Sequence, residues 1–355
     1  MHSTMCSIWS RKMKLQVSGK TGAIQSSMDF PQFRRTALTT VAAVLVLPFQ
    51  VQAQSTLAEV ESFFDAAQIV AGPALVDCTL SGGTETTCFS ITVIAEPSSY
   101  TPGPWCPTNI TDGPDKSGIW LEDGKVHVAD GAFMQNLSTF YDDDKWQLSD
   151  PSTGKINVTD SLEACLAAAR PDVDPAYTNH CVQCLVEYMP EGATQTYVIP
   201  VEPQPLMRGR SIGFAGAGIA RNGVSLAAAA PTDAILGAYT IAPFDVCGGH
   251  VNPHAGYHYH AVTDCLTTLS DMSDHGGQIG IAMDGYKIFA QNMTDGSTPA
   301  KLDRCNGHET GDLGYHYHAG DPGSNAILGC MSAEYGCASD DPTAVCDATA
   351  RPPRP

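Results

Sequence analysis

Hydrophobic residues of the chain occur mainly in short runs of β-branched and aromatic side chains. Three such runs, at 89–94, 125–128 and 196–199, are bounded by glycine, proline or small polar residues, which is typical of short strands. Helical spacing of apolar positions holds only over 55–68 and 161–170, and both segments are short. The pattern predicts a mainly β fold with few short helices.

The longest apolar run lies near the N-terminus, at 39–49, and is too short for a membrane span of about 20 residues. Two arginines precede it, and a small-x-small pattern ends at Ala53, as in a secretory signal peptide. We expect translation to start at Met28 and cleavage to follow Ala53, so that 1–53 is an upstream segment plus signal peptide. The arginine pair fits a twin-arginine signal only loosely, so ordinary secretion is favoured. The mature chain is then secreted or extracytoplasmic, in the periplasm or on the cell surface, without a membrane span.

Cysteine usage supports an oxidising compartment. Removal of 1–53 leaves an even number of cysteines, which favours up to six disulfides of open connectivity. Cys181 and Cys184 form a Cys-x-x-Cys pair that is also compatible with a redox or zinc role, although structural bridging is favoured because no second zinc knuckle is present. The disulfide candidates are Cys78, Cys88, Cys106, Cys165, Cys181, Cys184, Cys247, Cys265, Cys305, Cys330, Cys337 and Cys346.

The charge balance excludes one class of partner. The 355 residues include 19 Lys and Arg against 38 Asp and Glu, and the mature chain keeps 13 against 37, a net charge of −24. Recognition of a phosphate backbone depends on basic side chains. We therefore expect no nucleic-acid partner, and the sequence indicates no other partner.

The C-terminal half contains an internal repeat. Residues 247–261 align without a gap on 305–319, with nine of fifteen positions identical. Upstream, 211–219 aligns with 278–286 as a glycine-rich strand region. Because each unit is too small to fold alone, we expect two copies to pack about a pseudo-twofold axis.

A proline-rich stretch, 200–205, predicts an extended connector into this half. The predicted organisation after the signal peptide is a Cys-rich N-terminal part (54–190), a duplicated domain (191–335) and a C-terminal tail (336–355).

Both repeats contain the motif Gly-Tyr-His-Tyr-His, and Asp284-Gly-Tyr and Asp303-Arg-Cys-Asn-Gly-His accompany the second copy. These motifs resemble the YHYH domain family of exported proteins over roughly 190–335. The resemblance implies an extracytoplasmic domain, without implying a reaction.

Six histidines occupy equivalent positions in the two copies. Alternate side chains of a strand share a face, so the two histidines of each motif point the same way, with Cα atoms about 6.5–7 Å apart. Two imidazoles at that spacing reach one ion, and the histidine after each Cys-x-Gly turn is a natural third ligand or a hydrogen-bond partner of the ligands. The predicted ligands are His250, His258, His260, His308, His316 and His318. Zinc or copper is favoured, and nickel or iron is also compatible with imidazole ligands.

Three aspartates, Asp245, Asp284 and Asp303, are candidates to accept the outer N–H of a ligating histidine and so fix its tautomer. His254 and His275 have no histidine at the equivalent position of the other copy, and we expect both at the surface.

The sequence favours a secreted transition-metal-binding protein. Two alternatives stay open: a metal-dependent hydrolase or oxidoreductase that uses an open position at the same site, and a structural surface protein whose histidines only form hydrogen bonds.

Overall fold

The computed structural model describes residues 57–170, 172–266, 274–311 and 313–350. The predicted start at Met28 and the cleavage after Ala53 lie outside the described residues. Within them the fold is mainly β with few short helices, as the sequence predicts.

The helices of the described residues are short and peripheral. The first and fourth α-helices lie within the two segments with helical spacing, and the Ser161 hydroxyl caps the fourth by accepting from the Ala164 amide. The α-helices are α1 (Leu57–Phe63), α2 (Gly131–Gln135), α3 (Leu137–Phe140), α4 (Leu162–Ala168) and α5 (Thr232–Gly237). Single 3₁₀ turns span Ala66–Gln68, Pro114–Lys116, Pro175–Tyr177, Val186–Tyr188 and Pro322–Ser324.

Strands supply most of the regular structure, and each of the three predicted runs lies within a strand. In chain order they are β1 (Ile69–Thr79), β2 (Glu85–Ile94), β3 (Ile119–Glu122), β4 (Lys125–Val128), β5 (Thr194–Pro200), β6 (Pro205–Arg210), β7 (Gly218–Ala220), β8 (Ser225–Leu226), β9 (Gly249–Asn252), β10 (Gly256–Tyr259), β11 (Gln278–Ala282), β12 (Lys287–Phe289), β13 (Gly307–Thr310), β14 (Gly314–His318), β15 (Met331–Ala333) and β16 (Cys337–Ser339).

Two larger sheets share one hydrophobic core. The first has the order β1-β2-β5-β16, and the second has eight strands in the order β13-β14-β12-β11-β7-β8-β10-β9. Buried side chains from both, among them Phe89 and Ile199 of the first sheet and Ile219 and Ile281 of the second, belong to the same cluster. The proline-rich 200–205 stretch joins β5 to β6, and the division of the mature chain near residue 190 stays a prediction.

The eight-stranded sheet has the same strand pairings on both sides of its centre. At the centre β7 and β11 are antiparallel, with Ile219 opposite Ile281. On one side β8 runs parallel to β10, with Leu226 opposite Tyr259; on the other, β12 runs parallel to β14, with Ile288 opposite Tyr317. The hairpins β9–β10 and β13–β14 therefore form the two ends of the sheet.

This topology corrects the upstream sequence alignment. Residues 218–226 form the same strand pairings in one half of the sheet as residues 280–288 form in the other. The alignment of 211–219 with 278–286 is therefore wrong. The correct match is visible in the sequence as Gly-Ile-Ala-x-Asn-Gly against Gly-Ile-Ala-x-Asp-Gly. That the two halves arose by duplication stays a prediction.

All twelve candidate cysteines form disulfides, as the even count predicts. Cys181 and Cys184 bond to different partners, so they do not form a redox pair with each other. The bonds are Cys78–Cys88, Cys106–Cys181, Cys165–Cys184, Cys247–Cys265, Cys305–Cys330 and Cys337–Cys346. Six disulfides are consistent with an extracellular location. No helix of the described residues is long and apolar enough to cross a membrane.

A glycine at the centre of the sheet gives a test of this topology. A Cβ added at Gly218 would collide with the carbonyl oxygen of Ile281 on the neighbouring strand, whereas a Cβ at Gly237 meets nothing within 4 Å. We expect Gly218→Ala to lower the free energy of unfolding by about 1–3 kcal/mol and Gly237→Ala to change it little. Urea denaturation measures both, and equal effects would contradict the central β7–β11 pairing.

Candidate metal centre

The two terminal hairpins each bring three histidines to one face. In β9–β10, His250 lies directly opposite His258, and in β13–β14, His308 lies directly opposite His316. The third histidine follows two residues after the second, at His260 or His318, so it shares that face. The strand alternation predicted from the sequence therefore holds, and all six predicted ligands are grouped three and three.

The three-histidine cluster consists of His250, His258 and His260. One ring nitrogen of each lies within 4.8 Å of the others. The ring centroids are 4.7 Å apart for His250 and His258, 4.9 Å for His250 and His260, and 5.0 Å for His258 and His260.

The four-histidine cluster consists of His275, His308, His316 and His318, again with ligand atoms within 4.8 Å of one another. Its ring centroids are between 4.6 and 5.7 Å apart. The prediction that His275 lies at the surface is wrong, because its residue is 8% exposed and its ring contacts those of the other three. His275 lies just before β11, outside both repeats, so neither the repeat nor the strand pattern indicated it.

These separations match the geometry of a tetrahedral imidazole site. With metal–nitrogen bonds of about 2.0–2.1 Å, neighbouring imidazole centroids around a tetrahedral ion lie about 5 Å apart. The ring centroids of both clusters fall around that value. The four-histidine cluster has enough imidazoles to fill a tetrahedral shell, and the three-histidine cluster leaves one position for another ligand.

Backbone carbonyls fix the ring orientation of four histidines through Nδ1. These contacts are His258 to Gly256 at 3.1 Å, His308 to Ala300 at 3.0 Å, His316 to Gly314 at 3.0 Å and His318 to Ala290 at 2.7 Å. Since a carbonyl only accepts, Nδ1 carries the proton and Nε2 keeps a lone pair. A histidine that binds a metal through Nε2 requires this tautomer. The Nε2 atoms of His308 and His316 are 2.9 Å apart, which places them at a common point.

Apolar surroundings make the charged form of these rings unfavourable. The buried ring of Phe244 lies 5.0 Å from His250 and from His260, and Phe289 lies 5.1 Å from His316. Burial, followed by repulsion from the neighbouring imidazoles, lowers the pKa of His250 and His260 well below the usual value. Burial also lowers the pKa of His258.

Two buried ring nitrogens have no hydrogen-bond partner among the described residues: Nδ1 of His260 and Nε2 of His318. A buried nitrogen without a partner costs about 1–3 kcal/mol, and native proteins avoid this arrangement. One such atom occurs in each cluster. A bound ion is the partner that these atoms fit.

The three predicted supporting aspartates hold tyrosines instead of histidines. Asp245 accepts hydrogen bonds from the Tyr257 hydroxyl at 2.9 Å, Asp303 from Tyr315 at 2.9 Å, and Asp284 from Tyr317 at 2.6 Å. Tyrosines occupy the face of the strand opposite the histidines, so the tautomer-fixing role expected of Asp245, Asp284 and Asp303 falls to backbone carbonyls.

The fourth tyrosine is held by an amide rather than a carboxylate. Tyr259 accepts from the side-chain amide of Asn222 at 2.9 Å. Asn222 is the counterpart of Asp284 in the corrected alignment, so an amide in the first half takes the place of the carboxylate in the second.

A cavity of about 300 Å³ opens onto the three-histidine cluster. All three imidazoles line it, together with apolar side chains that include Trp105, Val182, Ile235 and Val251. His254, exposed as predicted, lies at the same cavity. The three-histidine cluster therefore borders a space larger than one water molecule.

Comparison with known proteins gives one match. A family model described as YHYH protein matches residues 196–301. The matched segment contains the three-histidine cluster and His275, and it ends before the second Tyr-His-Tyr-His strand. No curated protein and no solved structure matches the chain significantly.

The buried rings predict a pH-dependent stability of the metal-free protein. Burial lowers the pKa of His316 and of His318 to about 4, below the value of about 6.5 in an unfolded chain. The unfolded state thus binds protons first, so stability that is present above pH 6.5 is lost as the pH falls toward 4. Each ring contributes on the order of 3 kcal/mol to this loss.

Urea denaturation at several pH values measures the loss. The His316→Gln variant, which is less stable throughout, should have a shallower dependence between pH 6.5 and 4. Identical slopes for the two proteins would show that these rings do not titrate as the structure implies.

Proposed function

Residues 196–301 carry a YHYH protein domain, and from that premise we propose that the protein is a secreted protein that binds two transition-metal ions. The observation that carries the proposal is the convergence of seven imidazoles in two clusters whose ring separations fit a tetrahedral ion. Zinc or copper is favoured, and nickel or iron also suits all-imidazole ligands.

The two clusters differ in the number of coordination positions that they would leave open around an ion. Four imidazoles complete a tetrahedral shell, as in structural metal sites. His275 reaches the four-histidine cluster from outside the β13–β14 hairpin, so an ion there would join a loop to the end of the sheet. The three-histidine cluster leaves one coordination position of a tetrahedral ion open, and all three of its imidazoles line the cavity.

A purely structural role for the histidines accounts for fewer observations. Hydrogen bonds to backbone carbonyls engage Nδ1 of four rings, and Nε2 of two of these rings, His308 and His316, lie 2.9 Å apart. Packing alone also leaves a buried nitrogen without a partner in each cluster. Metal coordination accounts for both features.

Secretion is part of the proposal. It is supported by the apolar run at 39–49, by the small-x-small pattern that ends at Ala53, and by the six disulfides, which persist in oxidising compartments.

A metal-dependent hydrolase or oxidoreductase is the second candidate, and the open position of the three-histidine cluster favours it. However, neither aspartate nor glutamate occurs among the described residues that line the cavity. A carboxylate general base is therefore missing from these walls, and binding accounts better for this lining.

Metal content tests the proposal. The protein, purified without a His-tag and with its disulfides intact, should bind about two equivalents of zinc or copper per chain. Substitution of a direct ligand should weaken its own site about 100-fold or more, so His258→Ala, His316→Ala and His275→Ala should each lose about one equivalent. Elemental analysis by mass spectrometry after dialysis gives the count.

His127 and His180 lie outside both clusters, and His127→Ala and His180→Ala serve as matched controls that should keep both equivalents. An unchanged metal content in all three ligand variants would refute the assignment. A normal content in His275→Ala alone would remove that residue from the four-histidine cluster.

A further inference from the structure

The cavity beside the three-histidine cluster has an unusual charge composition for this protein. The chain has twice as many acidic as basic residues, yet neither aspartate nor glutamate lines the cavity among the described residues. Arg170 lies on its wall, and its exposed guanidinium donates from Nε to the carbonyl of Asp172 and pairs with the Asp172 carboxylate at 3.5 Å. The described residues that line the cavity therefore carry no negative charge, and the exposed Asp172 pairs with Arg170 at the rim.

The lack of acidic residues in the lining matters because the three imidazole ligands are neutral. Three neutral imidazoles leave a divalent ion with its full positive charge. In an apolar cavity that charge is strongly unfavourable unless an anion lies next to it. Because the walls supply no carboxylate, the anion must enter from solution through the open position.

The size and lining of the cavity indicate what kind of group the anion carries. A volume of about 300 Å³ lies at the lower end of the range for small-molecule pockets, and it exceeds what a hydroxide or chloride ion fills. Trp105, Val182, Ala234 and Ile235 form an apolar wall beside the imidazoles. An occupant gains from these walls only if it has an apolar body behind its anionic group.

We propose that the metal ion at the three-histidine cluster binds a small organic carboxylate whose apolar body fills the cavity. The carboxylate oxygen takes the fourth coordination position, and Arg170 adds a positive charge at the rim. No bond is made or broken in this step apart from the metal–oxygen bond. The inference rests on the proposed function, since it requires an ion at this cluster.

Cobalt(II) absorption provides the test, because its visible bands report the number and geometry of ligands. The full chain is loaded with cobalt and titrated with benzoate, with acetate as the same head group without the body, and with benzyl alcohol as the same body without the charge. We expect saturable spectral changes with benzoate, at least about tenfold weaker binding of acetate, and none with benzyl alcohol.

Variants show whether the spectral change with benzoate arises at the three-histidine cluster and its cavity. Ala234→Trp narrows the cavity and Arg170→Gln removes the rim charge, and each should weaken benzoate binding about tenfold or more while the cobalt content stays unchanged. Arg208→Gln removes an exposed arginine that does not line the cavity and is the matched control. His258→Gln, which retains cobalt only at the four-histidine cluster, should show no response.

The outcomes separate the two claims. Failure to bind cobalt, zinc or copper at all would overturn the proposed function. Stoichiometric cobalt with a spectrum that benzoate does not change would overturn this inference alone. Equal affinity for acetate and benzoate, or a full response in Ala234→Trp, would show that the apolar cavity does not select the ligand.

Discussion

Alternation of side chains along the two Tyr-His-Tyr-His strands is the constraint on which the rest of the structure depends. In β10 and β14, one face presents only imidazoles and the other only phenols. The antiparallel partner strand then sets His250 opposite His258 and His308 opposite His316. A shift of one residue in either hairpin would exchange the two faces of that hairpin and separate the histidines of its cluster.

The phenol face fixes that register. Each tyrosine hydroxyl reaches a side chain at a turn: Asp245 and Asp303 precede the β9 and β13 strands, and Asn222 and Asp284 lie in the turns of the central hairpins. Asp245 also accepts from the amides of Cys247 and Gly249, and Asp303 does the same for Cys305 and Gly307. These aspartates thus fold the turns and hold the tyrosines at once.

Burial of the Asp245 and Asp284 carboxylates has an electrostatic cost. Desolvation raises the pKa of Asp284 to about 6, although four hydrogen bonds to its carboxylate act in the opposite direction. A disulfide at each hairpin, Cys247–Cys265 or Cys305–Cys330, ties the turn to the following chain. The arrangement holds six imidazoles rigidly on the other face.

Much of this architecture follows from local sequence, because strand alternation and short-range spacing are local properties. The β-rich class, the two helical segments, the use of all twelve cysteines and the grouping of six histidines were predicted in this way. What depends on tertiary contacts was not. His275 joins its cluster through ring contacts with His316 and His318 of β14, a strand distant in sequence. The disulfide partners of Cys181 and Cys184 lie 75 and 19 residues away.

The roles of the aspartates were also missed for a physical reason. Sequence spacing shows that Asp245 and Asp303 lie near a histidine, and it does not show which face of the hairpin their carboxylates reach. The match of 218–226 with 280–288 was readable from Gly-Ile-Ala and the following Asn-Gly or Asp-Gly, and it would have identified Asn222 as the partner of Tyr259.

X-ray absorption spectroscopy on the zinc-loaded protein tests the central claim most directly, since it reports the atoms bound to the ion. The account predicts a shell of nitrogen ligands at about 2.0–2.1 Å with the scattering pattern of imidazole, and an average of three to four imidazoles per ion. A shell dominated by carboxylate oxygen or by sulfur, or fewer than two imidazoles per ion, would contradict it.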